Sequence, residues 1–156
     1  MARHTITVES AAALAAGANV ANITAAAAAN FKLRRCKVGI RTNTAVVPTN
    51  QQITLAIFRA TARGTQTTTV APLAMDPRSV APQSAGADTV WSVQPTLAAN
   101  PMERLTINTQ ASADFPWEFV EELICDQGTS NGLCMQNIGN AIPSGHLVVV
   151  TFEIEE

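Results

Sequence analysis

Apolar and polar residues alternate along most of this chain, and alternation with a period of two predicts strands. HTITVE puts Ile6 and Val8 on one face. In FKLRRCKVGIR, Phe31 and Leu33 keep one register while Cys36, Val38 and Ile40 keep the other, which predicts a bulge or bend between them. QQITLAIFRAT sets Ile53, Leu55 and Ile57 against Thr54, Ala56 and Phe58. The strongest pattern is HLVVVTFEIE, where Val148, Val150, Phe152 and Ile154 oppose Leu147, Val149, Thr151 and Glu153, and PSG opens the run. Turn-rich stretches such as RGTQTT, DPRSVAPQSAGAD and QGTSNG lie between the strands, and Asn131-Gly132 is expected to supply the positive φ of a tight turn. Eight prolines spread through the chain oppose long helices. One helical turn is predicted after Pro116, with Trp117, Val120 and Ile124 at helical spacing, running into a strand over residues 123–126. The expectation is an all-β fold, a β-sandwich of jelly-roll type.

The pattern fades near the start. Residues 10–18 are alanine-rich and carry no amphipathic stripe, so they read as an extended linker. With the short strand before them, residues 1–18 are expected to form an extended N-terminal arm, and residues 19–156 the sandwich domain. The stretch 11–29 is not expected to be a secretory signal, because Glu9 precedes it and Asn19, Asn22 and Thr24 interrupt it. No run of strongly apolar residues is long enough for a membrane span.

Composition changes the picture in two ways. Charged residues are only 14%, against about 25% in ordinary domains, so part of the surface is expected to meet protein in place of water. The charges are also segregated. All 10 basic side chains lie in residues 1–113 with 4 acids, while residues 114–156 hold 8 acids and no base. The acidic part is rich in apolar residues, so it is no solvated tail. The basic and acidic strands are expected to neutralise each other, within a subunit or across a boundary. Cys36, Cys125 and Cys134 form no C-x-x-C and are odd in number, which favours buried thiols over a disulfide framework.

Two charge clusters invite chemistry. DFPWEFVEEL crowds Asp114, Glu118, Glu121 and Glu122 around Trp117, and paired carboxylates beside an aromatic platform could serve glycoside hydrolysis. Such pairs usually come from separate strands across a cleft, so a solvated rim or ion-pair partners is the stronger reading. The basic run Lys32, Arg34, Arg35, Lys37 and Arg41 has only Phe31 beside it, too few aromatics for a nucleic-acid stacking surface. A protein interface or an internal match to the acidic half fits it better. His4 and His146 have no metal-ligand spacing and no G-x-S-x-G neighbour. No metal, cofactor or catalytic residue is expected.

MARHTITVESAAAL, NVANITAAAAANFKLRRCKVGI, LAIFRATARGTQTTTVAPLAMDPRSVAPQS, PWEFVEELICDQGTSNGLCMQN and the closing VVVTFEIEE together resemble a group of small virion proteins of tailed bacteriophages. The motifs are R-A-T-x-x-G-T followed by D-P-R, a P-W-E segment, G-T-x-N-G-L and a C-terminal F-E-x-E-E strand. The resemblance implies a non-enzymatic head decoration protein on the outer surface of the capsid. It would bind the major capsid protein as a homotrimer and clamp neighbouring subunits. A tail or fibre protein reading glycans through Trp91 and Trp117 is the alternative, with a carbohydrate-active enzyme and a self-assembling shell subunit behind it. The expected interface joins Arg3 and His4 to Lys32, Arg34 and Arg35, with Trp117, Glu118, Glu121 and Glu122 on an acidic rim facing the partner.

Overall fold

The computed structural model describes residues 2–11, 13–43, 45, 47–84, 86–117 and 122–156. Among them the chain forms thirteen strands and no helix. These are β1 (Arg3–Glu9), β2 (Asn19–Thr24), β3 (Phe31–Thr42), β4 (Gln52–Ala62), β5 (Thr65–Val70), β6 (Leu73–Ala74) and β7 (Gly86–Val93). They continue with β8 (Thr96–Leu97), β9 (Glu103–Asn108), β10 (Ala113–Pro116), β11 (Leu123–Cys125), β12 (Gly132–Asn137) and β13 (His146–Glu155). The first sheet has the order β10–β3–β13–β1–β6, with β11 also paired to β3. The second has the order β5–β7–β2–β12–β4–β8, with β9 also paired to β4.

The alternation read from the sequence becomes the wall of one core. The first sheet contributes Ile6, Val8, Leu33, Val38, Val150 and Phe152, and the second Ile23, Ile53, Leu55, Ile57, Leu133 and Met135. Between Leu33 and Cys36 the inward register changes, as expected. Glu153 pairs with Arg35 and Ile154 with Leu33, so Arg34 is the extra residue of a bulge. The bulge lets both halves of β3 bury their apolar face and puts Arg34 and Arg35 together on the outer side.

Residues 3–9, expected as a short strand within an extended arm, form a strand built into the first sheet. β1 pairs with β13 from Arg3↔Glu155 to Glu9↔Val149, and with β6 at His4↔Ala74 and Thr5↔Leu73. The linker is tied down too. Ala13 turns the chain at φ 54°, and Leu14 drops into the core. Burying Ile6, Val8 and Leu14 outweighs the freedom of a loose segment. The turn expected at Asn131-Gly132 also differs. Gly128 takes the positive φ, 122°. Gly132 is a strand residue whose lack of a side chain serves close approach to β2: a Cβ there would lie 2.7 Å from the Ile23 carbonyl oxygen. The strand expected at 123–126 is β11, whereas the helical turn before it falls on Glu118, Phe119, Val120 and Glu121, which lie outside the described residues.

Candidate functional site

The basic run of β3 lies on the outer face of the first sheet, where antiparallel pairing sets it against acids from four segments. Lys32 Nζ is 2.7 Å from Glu122 Oε2. Arg34 bridges Glu122 and Glu155, and Arg35 grips Asp114 with its Nε 2.6 Å from Oδ1. Lys37 Nζ donates to Glu153 at 2.9 Å. Arg41 holds Glu9 through two bonds of 2.9 and 2.7 Å. The charge match expected between the two halves of the sequence is therefore made inside one chain.

The pairing shifts the carboxylates. Lys32, and after it Arg34, hold the Glu122 carboxyl below the usual carboxylate range. Arg35 does the same to Asp114, and Arg41 to Glu9. Glu153 and Glu155 are nearly buried although they sit on an outer face. Beside the ladder, Gly39 leaves a cleft of about 430 Å³ whose rim carries Lys37, Ser112, Asp114 and Thr151.

The remaining expected residues separate. Trp117 is buried in the core cluster, so its ring is no sugar platform, and its backbone N–H donates to the Arg34 carbonyl at 2.9 Å. Glu118 and Glu121 lie outside the described residues. Arg3 is exposed and has no ion pair among the described residues. His4, on the inward side of β1, is fully buried, and neither ring nitrogen has a hydrogen-bond partner among the described residues. Its Nε2 lies 3.8 Å from Glu156 Oε2. The two line a cleft of about 400 Å³ between the turn after β2 and the segment before β7.

The second sheet carries a polar cluster that the sequence reading passed over. Asp88 of β7 is fully buried. It accepts two bonds from Arg63, at 2.7 and 2.8 Å, one from Thr69 at 2.6 Å and one from Thr24 at 3.2 Å. The only signal in the sequence was an acid at a strand position in GADTV. Among the described residues, no group of three His, Cys, Asp or Glu side chains could hold a metal ion, and no helix is long and apolar enough to cross a membrane. No family model, curated protein or solved structure matches the chain.

Proposed function

We propose that this chain is a non-enzymatic structural protein of a tailed-bacteriophage virion. In this reading it is a jelly-roll sandwich, homotrimeric, that docks on the outer surface of the assembled head, binds the major capsid protein and clamps neighbouring subunits. The observation that carries it is the strand order. β1–β13–β3–β10 packs over β2–β12–β4–β9, so the chain passes from sheet to sheet as two interwound Greek keys do. That arrangement recurs in capsid and lectin domains. The bacteriophage part of the reading rests on the resemblance of the sequence motifs.

In this reading the docking face lies away from the charge run. Lys32, Arg34, Arg35 and Glu122 are engaged with partners in their own chain. Uncommitted surface lies on the paired strands β5 and β7, with threonine-rich β5 and with Val90 and Val93 exposed, and along β6, where Leu73 is 71% exposed. Neutral contacts of this kind, repeated over a lattice, add through multivalency. The glycan-binding alternative loses one of its two tryptophans, because Trp117 is buried.

Mass spectrometry of purified virions tests the reading. A copy number comparable to that of the major capsid protein is expected, and a handful of copies per particle would overturn head decoration. Val90→Asp is expected to abolish binding to shells stripped of the protein while leaving the thermal melt unchanged.

A further inference from the structure

We infer that copies of this chain join head to tail, the outer edge of β5 in one copy pairing with the open end of β3 in the next. β3 outruns its neighbour on one side. β10 covers it only from Arg35 to Val38, where Ala113 is the last partner. Beyond that point Ile40 and Thr42 stand opposite Val148 and His146 of β13. Val148 gives its carbonyl to Ser10 N–H and its N–H to Ser10 Oγ, both at 2.9 Å. His146 N–H donates to the Pro143 carbonyl, and the His146 carbonyl accepts Ala13 N–H. An antiparallel pair of this kind turns the backbone groups of both members away from each other. The N–H and C=O groups of Ile40 and Thr42 therefore point to the β10 side, where no partner meets them among the described residues. They open on a cleft of about 500 Å³ whose far wall includes Pro48, Thr109, Gln110 and Ala111. That wall is fixed. Thr109 N–H donates to the Gln51 carbonyl at 2.8 Å, and its Oγ1 accepts Gln51 N–H at 2.9 Å. The slot is thus held open, with the strand hydrogen bonds of two residues left unmade.

No charged side chain lines the slot, so its occupant is a short, extended and uncharged segment. β5 of a second copy meets that description. Edge strands are ordinarily guarded by charge, by proline or by being very short. β9 carries Glu103 and Arg104, and β10 carries Asp114 and Pro116. β6 and β8 have 2 residues each and β11 has 3. β5 has 6 residues, TQTTTV, with neither charge nor proline, and pairs only with β7. Register shifts between Thr65 and Thr69 bend it against β7, which disfavours a long pairing such as β5 with β5. The slot asks for no more than three residues, opposite residues 40–42. β5 leads directly into β6 at one flank of the sandwich, whereas the slot lies on the β10 flank. No chain can fill its own slot, so the contact joins unlike surfaces, and repetition from copy to copy closes a ring. It uses the edge of β5 and leaves Val90 and Val93 of β7 uncovered. The contact supplies a seam for the homotrimer proposed above and needs no capsid.

Light scattering and chain mixing test the contact on the full chain. The parent is expected to run as a trimer. Thr42→Pro removes an N–H that faces the slot and breaks no bond to β13, while Thr68→Lys puts a charge on the β5 edge. Each is expected to weaken association by about tenfold or more and to leave a folded monomer. An equimolar mixture joins the intact β5 of the first to the intact slot of the second, so a one-to-one dimer is expected to return. Cross-linking keeps the test independent of how Thr42→Pro folds. Thr42→Cys and Thr68→Cys chains, mixed, are expected to be joined by a short bismaleimide, and neither variant alone, since the three native thiols are buried. A parent that stays monomeric, or cross-links between Thr68→Cys chains alone, would overturn the inference. A monomer that still binds shells would remove this contact and leave the docking face standing, and a ring that binds no shell would do the reverse.

Discussion

On the outer face of the first sheet, the cations of β3 meet acids drawn from β1, β10, β13 and the segment before β11. On the second sheet, one cluster gathers Arg63, Thr24 and Thr69 around the buried Asp88, and the β5–β7 strand pair beyond it is left neutral. The first arrangement spreads charge over many pairs, several of them half in water, such as Arg41 and Glu9 at 48% and 45% side-chain exposure. Each such pair contributes little alone. Together they favour one strand register, because a slip of one residue would turn every charge of β3 toward the core. The second arrangement concentrates the cost in one carboxylate taken out of water, where each partner matters.

The largest expected effect is therefore on the second sheet. Arg63→Ala leaves Asp88 buried without its cation and should cost about 3 kcal/mol in urea melts. Arg63→Ala combined with Asp88→Asn should recover part of the loss. A cost no larger than that of an exposed surface change would erase the contrast between the sheets.

Acid acts on the first sheet. Glu9, Asp114 and Glu122 have folded-state pKa values below their unfolded ones. Their contribution is thus complete above the unfolded pKa and lost as pH falls through the folded pKa. Thermal melts should drop steeply below about pH 4. The triple variant Glu9→Gln, Asp114→Asn, Glu122→Gln should flatten that drop while lowering the melt near neutrality.

Thiol reactivity compares how tightly each face is sealed. Cys36 lies on the inner face of β3, while Cys134 of β12 is fully buried yet lies outside the shared core cluster. Burial raises the pKa of both thiols and pushes that of Cys125 up to about 12. None of the three should react with a thiol reagent at mildly alkaline pH until the chain unfolds. Early reaction of Cys134 alone would show that the outer face of the second sheet opens first. The smallest effect is expected of Arg41→Ala, whose half-exposed pair should leave the melt unchanged within error.

β4 and β13 could be read from the sequence because each carries an alternating stripe of large apolar residues that faces the core, and the bulge could be read because Leu33 and Cys36 break the alternation. The pairing of β5 with β7 was hidden, since a threonine-rich edge strand such as TQTTTV has no buried stripe to betray it. The position of β1 was hidden for another reason. Ile6 and Val8 announced a strand, but pairing with β13 joins the two ends of the chain, which no local pattern encodes. The ion pairs of β3 were half legible. The charge count showed that the halves should meet, while the partner of each side chain depends on register. Arg63 and Asp88 stood outside every charge run, and only folding makes them neighbours.

The central claim is that the charges of β3 are matched within one chain. A charge swap between Arg34 and Glu155 tests it most directly, by thermal melts over a range of protein concentrations. Arg34→Glu and Glu155→Arg should each lower the melt by several degrees at every concentration, and the double variant should recover much of the loss. Single variants that melt like the parent, yet fall apart as oligomers or fail to bind the shell, would contradict it.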